Sequence, residues 1–188
     1  MPVAGVFPAK ELSGSCKATG GSVQPERVVG PTNYGGGVTT TLHSARPTDL
    51  AVRLAYQILR LRVDVFVVEQ ECAYPELDGR DLESDALWVW VQDDEAIGNP
   101  VLATLRVLRD PDGRARIGRV ATAEHARSNG TASRLMRHAL EVVGDGVGIT
   151  LDAQAHLEGW YGRFGFSRSG EEFIEDDIPH VPMCRPAR

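Results

Sequence analysis

Cysteine is scarce: Cys16, Cys72 and Cys184 are the only three in 188 residues. They form no C-x-x-C pair and are odd in number, so neither a zinc site nor a disulfide framework is signalled. A reducing cytoplasm is the expected compartment. Long apolar runs are also missing. Nothing approaches the roughly eighteen residues of a membrane span, and the N-terminus has neither the basic leader nor the apolar core of an export signal. Basic charge is in deficit, with 20 Lys and Arg against 26 Asp and Glu and a net charge of −6. That balance excludes the basic footprint of a nucleic-acid binder. What remains is 42% hydrophobic and 24% charged, the composition of a globular protein. A body of about 150 residues buries about two-thirds of its unfolded surface and needs no metal or disulfide to hold it.

Residues 1–40 carry eight of the 20 glycines and four of the 11 prolines without sustained periodicity, and read as a disordered N-terminal extension. The folded domain is expected over residues 41–188. Residues 38–43 suit a short strand, and Pro47, Thr48 and Asp49 open a helix that Leu50, Leu54, Ile58, Leu61 and Val65 continue. An acidic stretch follows, with Glu69, Glu71, Glu76, Asp78, Asp81, Glu83 and Asp85 opposed by Arg80 alone. Strands are predicted over residues 86–92, 101–108 and 115–122. In residues 149–155, Ile149, Leu151, Ala153 and Ala155 alternate with Thr150, Asp152 and Gln154, a strand with one polar face. A short helix over 156–164 ends at Gly165, and two last strands turn around Asp176 and Asp177.

The run Arg127-Ser128-Asn129-Gly130-Thr131-Ala132 has little side-chain bulk and precedes the apolar series Ala132, Leu135, Met136, Ala139, Leu140 and Val143 at helical spacing, stopped by Gly144. A helix starting there leaves its first N–H groups unpaired with the positive end of the dipole behind them, which suits phosphate. The pattern R-x-x-G-x-A resembles the pyrophosphate loop of the GNAT acyltransferases. Three further stretches are similar to their ElaA-like branch: LRVDVFVVEQECAYPELDGRDL from Leu61, DAQAHLEGWYGRFGF from Asp152 and GEEFIEDDIPHVPM from Gly170. Ser128, Asn129 and Ala132 depart from the commoner residues of the loop.

The resemblance implies a mixed α/β fold, a mostly antiparallel sheet with helices on both faces, and a cosubstrate, acetyl-CoA, with no metal. It implies transfer of an acetyl or short acyl group to a primary amine, small or on a protein, and a homodimer is compatible with it; no nucleic acid or membrane is expected as partner, from the acidic balance and the missing apolar runs. Cofactor contacts are expected from Arg119, Val120, Ala121, Arg127, Ser128, Asn129, Gly130, Thr131, Ala132 and Tyr161. Tyr161 stands where similar enzymes keep a tyrosine that protonates the leaving thiolate. Glu69, ending an apolar helix, is the candidate base if partly desolvated. Asp78, Asp81, Gln154 and His180 are candidate acceptor-binding residues, with Asp152 beside them. Arg62, Phe66, Asp78, Asp81 and Arg106 are also similar to the acyl-homoserine lactone synthases, and a non-catalytic acyl-CoA sensor is the remaining alternative.

Overall fold

The computed structural model describes residues 29–34 and 38–188. The expected disorder of residues 1–40 therefore falls mostly outside the described residues. Within that stretch, Val29–Tyr34 forms a strand, β1, paired antiparallel with β2, Val38–Ala45. Its Gly- and Pro-rich sequence carries no period-2 signal, so partner strand rather than propensity makes it a strand.

The chain continues through helix α1, Val52–Val63, strands β3, Leu87–Asp93, β4, Val101–Arg109, and β5, Ala115–Thr122, helix α2, Thr131–Val143, strand β6, Ile149–Gln154, and helix α3, Glu158–Gly162. It ends in β7, Ser167–Arg168, β8, Phe173–Glu175, and β9, Ile178–Arg185, three strands where two were expected. The sheet order is β1-β2-β3-β4-β5-β6-β9-β7, with β8 on β9. Among the described strands only β5 and β6 pair in parallel. The predicted mixed, mostly antiparallel sheet is thus the observed one.

Both faces of the sheet are covered, which is why β4 is buried along nearly its whole length. On one side α2 and α3 pack Leu135, Met136, Ala139 and Tyr161 against Leu105, Val107, Ile117, Leu151 and Met183. On the other, α1 packs Ile58, Leu61 and Val65 against Trp88, Trp90 and Ala121. Each fully buried Leu, Ile or Met is worth about 1.5–3 kcal/mol, so these stripes fix which edge of each helix meets the sheet. Helix α1 does not stop at Val63 but widens into a π-helical stretch, Asp64–Glu69, closed by Gln70 N–H donating to the Val65 carbonyl at 3.2 Å. No helix among the described residues is long and apolar enough to cross a membrane.

Candidate acyl-CoA and acceptor site

Helix α2 begins where the sequence places an anion site. Ser128 and Gly130 have φ of 62° and 86°, so the backbone turns sharply twice before the first helical residue. Such left-handed turns gather successive N–H groups into a concave nest. A side chain at Gly130 would project into open space at that mouth and would also strain the backbone. A cavity of about 400 Å³ lies over the loop, lined by Arg127, Ser128, Gly130, Thr131, Ala132 and, from α3 and the residue that caps it, Trp160 and Arg163. An anion-sized space, unbranched backbone and two arginines fit a pyrophosphate. Asn129 adds a device of its own: its Oδ1 accepts from Thr131 N–H at 3.1 Å and from Thr131 Oγ1 at 2.5 Å. This acceptor covers one of the helix's free donors.

The second feature is a break in the sheet. Strands β5 and β6 pair only at Ala115 with Ile149 and Arg116 with Thr150, and then separate. On its other side β5 carries a bulge, since Thr104 pairs with Ala121 but Arg106 with Gly118, leaving Arg119 and Val120 without partners on β4. Arg119 sits at the bulge with φ 54°. Past Arg116 the two strands no longer pair, and Thr122 at the end of β5 lines the cavity over the loop at residues 127–132. Tyr161 lies under this region, buried against Trp160 and Phe166. Burial pushes its phenol well above the ordinary tyrosine value. Trp160, rather than Tyr161, lines the cavity over the loop.

The acidic stretch behaves differently from its expectation. Arg62, buried within α1, donates from Nε to Glu76 Oε1 at 2.5 Å and from Nη1 to Asp81 Oδ1 at 2.8 Å. Arg106 grips Asp78 with two hydrogen bonds of 2.7 Å and reaches Asp81 at 3.1 Å. Arg119 pairs with Glu76 at 2.7 Å and Asp78 at 3.3 Å and lies over the Tyr74 ring. Tyr74 donates its hydroxyl to Glu76, and Trp88 Nε1 donates to Asp81 at 2.8 Å. Burial works against the charged form of Asp78, but Arg106 and Arg119 outweigh it and hold its carboxyl at about 2. Asp81 is lowered in the same way, against its burial, by Arg62 and Arg106. Three guanidiniums face three carboxylates, so this network carries no net charge with which to draw a cation. Asp78 and Asp81 hold the bulged strand to α1 and are not free acceptor ligands.

Glu69 is likewise not the desolvated base expected of it. It is exposed, and Arg127 donates to both of its oxygens at 2.8 and 2.6 Å. The hydrogen bond from Arg127 lowers its pKa, the opposite of what a general base requires. The π-helical stretch delivers Glu69 to the loop side and Gln70 to the strand side, where Gln154 Nε2 donates to Gln70 Oε1 at 3.3 Å.

Gln154 and His180, by contrast, do come together. They are register partners across β6 and β9, and Asp152 pairs with Pro182 two residues along. Period-2 alternation puts Thr150, Asp152, Gln154 and His180 on the α1 face of the sheet. His180 Nδ1 lies 2.8 Å from the Ile178 carbonyl, and its ring stacks on Phe173 at 5.8 Å. Sequence reasoning missed the partner of Asp152, Arg116, whose Nη1 donates to Asp152 at 3.0 Å while its Nε donates to Asp110 at 3.1 Å. It also missed Arg163, whose position beside the loop depends on how α3 docks.

A family model of the acetyltransferase (GNAT) domain matches residues 60–185. The chain belongs to the GNAT acyltransferase family. This GNAT domain is 45% identical over 152 residues to a UPF0039 protein of Mycobacterium tuberculosis, covering 79% of this chain and 95% of that one. It is 37% identical over 145 residues to ElaA of Escherichia coli, 73% of this chain and 91% of that protein, which places it in the ElaA-like branch. The crystal structure of E. coli ElaA matches with a TM-score of 0.70 at 34% identity, over 77% of this chain and 97% of that one. That of an acyl-CoA N-acyltransferase from Pseudomonas aeruginosa matches with a TM-score of 0.71 at 39% identity, over 77% and 98%. GNAT enzymes use acyl-CoA, and the loop at residues 127–132 and the cleft between β5 and β6 are the parts of this chain that fit it.

Proposed function

We propose that the protein is an N-acetyltransferase that moves an acetyl or short acyl group from acetyl-CoA to a primary amine by direct attack within a ternary complex. The observation that carries this reading is the two-residue pairing of β5 and β6, which opens a cleft from the bulge at Arg119 and Val120 to the nest at Asn129, Gly130 and Thr131. The nest and Arg127 hold the pyrophosphate, once Asn129 Oδ1 yields the Thr131 N–H it covers and Arg127 turns from Glu69. The bulge aims backbone N–H groups near Val120 at the thioester carbonyl, where each such donor is worth roughly 3 kcal/mol in acyl transfer. Tyr161 donates its proton to the departing sulfur. An acyl-enzyme is disfavoured because burial and the Asp176, Asp177 and Glu175 carboxylates push the Cys72 thiol up, away from the thiolate a covalent route needs.

Gly130→Val tests the site. At φ 86° a branched side chain costs about 1–2 kcal/mol of backbone strain, which leaves the domain folded, while the added carbons occupy the phosphate position. Calorimetric titration with acetyl-CoA is expected to show binding to the wild type and none to the variant. Equal affinity in a folded variant would place the cosubstrate elsewhere.

A further inference from the structure

Five of the seven carboxylates of the acidic stretch are already paired with arginines, four of these arginines from other elements, which turns attention elsewhere for a cationic acceptor. The α1 face of β6 and β9 has the means. Counting on from the pair of Arg116 with Thr150, Asp152 and Gln154 lie level with the Gly118 to Ala121 bulge, across the cleft. Gly118 shares the face of Arg116 by alternation, and a Cβ built on it meets nothing within 4 Å. Asp152, level with Gly118, is itself exposed. Asp152 is linked through Arg116 of β5 to Asp110 from the turn before it, one cation against two anions.

Two polar atoms here are unengaged. Arg116 takes Asp152 Oδ2, and Oδ1 has no partner among the described residues. His180 Nδ1 lies against a carbonyl, which can only accept, so Nδ1 must carry a proton. In the neutral ring that leaves Nε2 with its lone pair, an acceptor without a partner among the described residues. Phe173 stacked on the imidazole holds the ring plane.

From this geometry we infer that the α1 face of β6 and β9 is the acceptor subsite, Asp152 binding the ammonium group of a cationic primary amine and His180 Nε2 taking its proton. The inference rests on the acyl-transfer reading above. One proton of the ammonium passes to Nε2 and from there to water, freeing the nitrogen lone pair. The nitrogen then bonds to the thioester carbon, the carbon–sulfur bond breaks, and sulfur receives the Tyr161 proton. The second nitrogen proton restores Tyr161, so amide, free thiol and one proton in water are the products. The Asp152 carboxyl is raised overall, by desolvation first, with Arg116 pulling it back only in part, as befits a carboxylate that still lacks part of its cationic company.

The test uses full-length protein, acetyl-CoA and a series of primary amines including benzylamine, tyramine, spermidine and lysine methyl ester, followed by thiol release. With the best amine, Asp152→Asn is expected to raise KM about ten- to a hundredfold, the loss of one hydrogen bond to a charged group. His180→Gln is expected to lower kcat about a hundredfold or more with a smaller change in KM. Calorimetry with acetyl-CoA is expected to be unchanged in both, which also reports folding. Should either variant fail to fold, the wild type decides: the trimethylammonium analogue of the best amine is expected to inhibit at least tenfold better than its uncharged tert-butyl isostere. Unchanged amine kinetics in both folded variants, or equal inhibition by the two analogues, would overturn the subsite while leaving acyl transfer standing. Absence of amine-dependent thiol release from the wild type would overturn the acyl-transfer reading itself.

Discussion

Tyr161 illustrates what a single residue gains from its surroundings. Its place in GWYGRFGF resembles that of the tyrosine with which similar enzymes protonate the leaving thiolate, but nothing local announces that it is buried with its phenol pushed up. A raised pKa keeps the proton in place at every pH at which the enzyme would be assayed. It also makes full transfer to sulfur uphill unless the nitrogen proton follows. Tyr161→Phe is therefore expected to lower kcat by roughly ten- to a thousandfold, at or below the usual contribution of acid catalysis, with acetyl-CoA affinity unchanged by calorimetry. No alkaline limb from its ionisation is expected below about pH 10, the unperturbed tyrosine value. Wild-type turnover in the folded variant would remove it from the chemistry. That Gln154 lies on a polar face was legible from the alternation in β6, whereas its pairing with His180 of β9 depends on the register between strands. Asp78, Asp81 and Glu69 were misread because their partners, Arg106, Arg62 and Arg127, lie 28, 19 and 58 residues away, and composition counts charges without pairing them.

Among the elements, the periodic ones were visible in advance: the apolar stripes of α1 and α2, the alternation of β6, the glycine stops. The bulge in β5 and the π-helical end of α1 were not, since both depend on what lies across the sheet. The buried network joins these two irregular pieces. Asp81→Asn leaves Arg62, only 1% exposed, short of its partner's charge, and breaking such a buried pair costs about 3–5 kcal/mol. Urea unfolding is expected to report that loss as a lower midpoint with an unchanged slope. The acid limb of stability follows from the same groups. Asp78 has its pKa lowered from 3.8 to about 2, and Asp81 is lowered too. Their contribution is fully present above the unfolded value near 4 and is lost as pH falls through the folded value near 2. Thermal midpoints are expected to fall across that window, and less steeply in Asp78→Asn. A midpoint independent of pH between 4 and 2 would mean that the network does not hold the folded state.

For the molecule as a whole, the sheet has one seam, between β5 and β6, and the loop before α2, the bulge, Tyr161 and the polar face of β9 are arranged around it. The net charge of −6 suits a cationic acceptor only in a general way; most carboxylates of the segment that looked responsible are taken up by arginines, four of these from other elements. Initial rates of thiol release, with acetyl-CoA and the best primary amine both varied, test the central claim most directly. Direct attack at the seam predicts release that requires the amine and double-reciprocal lines that intersect, abolished in Gly130→Val. Parallel lines with an acetylated Cys72 or Cys184 in the mass spectrum, or bound acetyl-CoA that no amine in the series discharges, would contradict it.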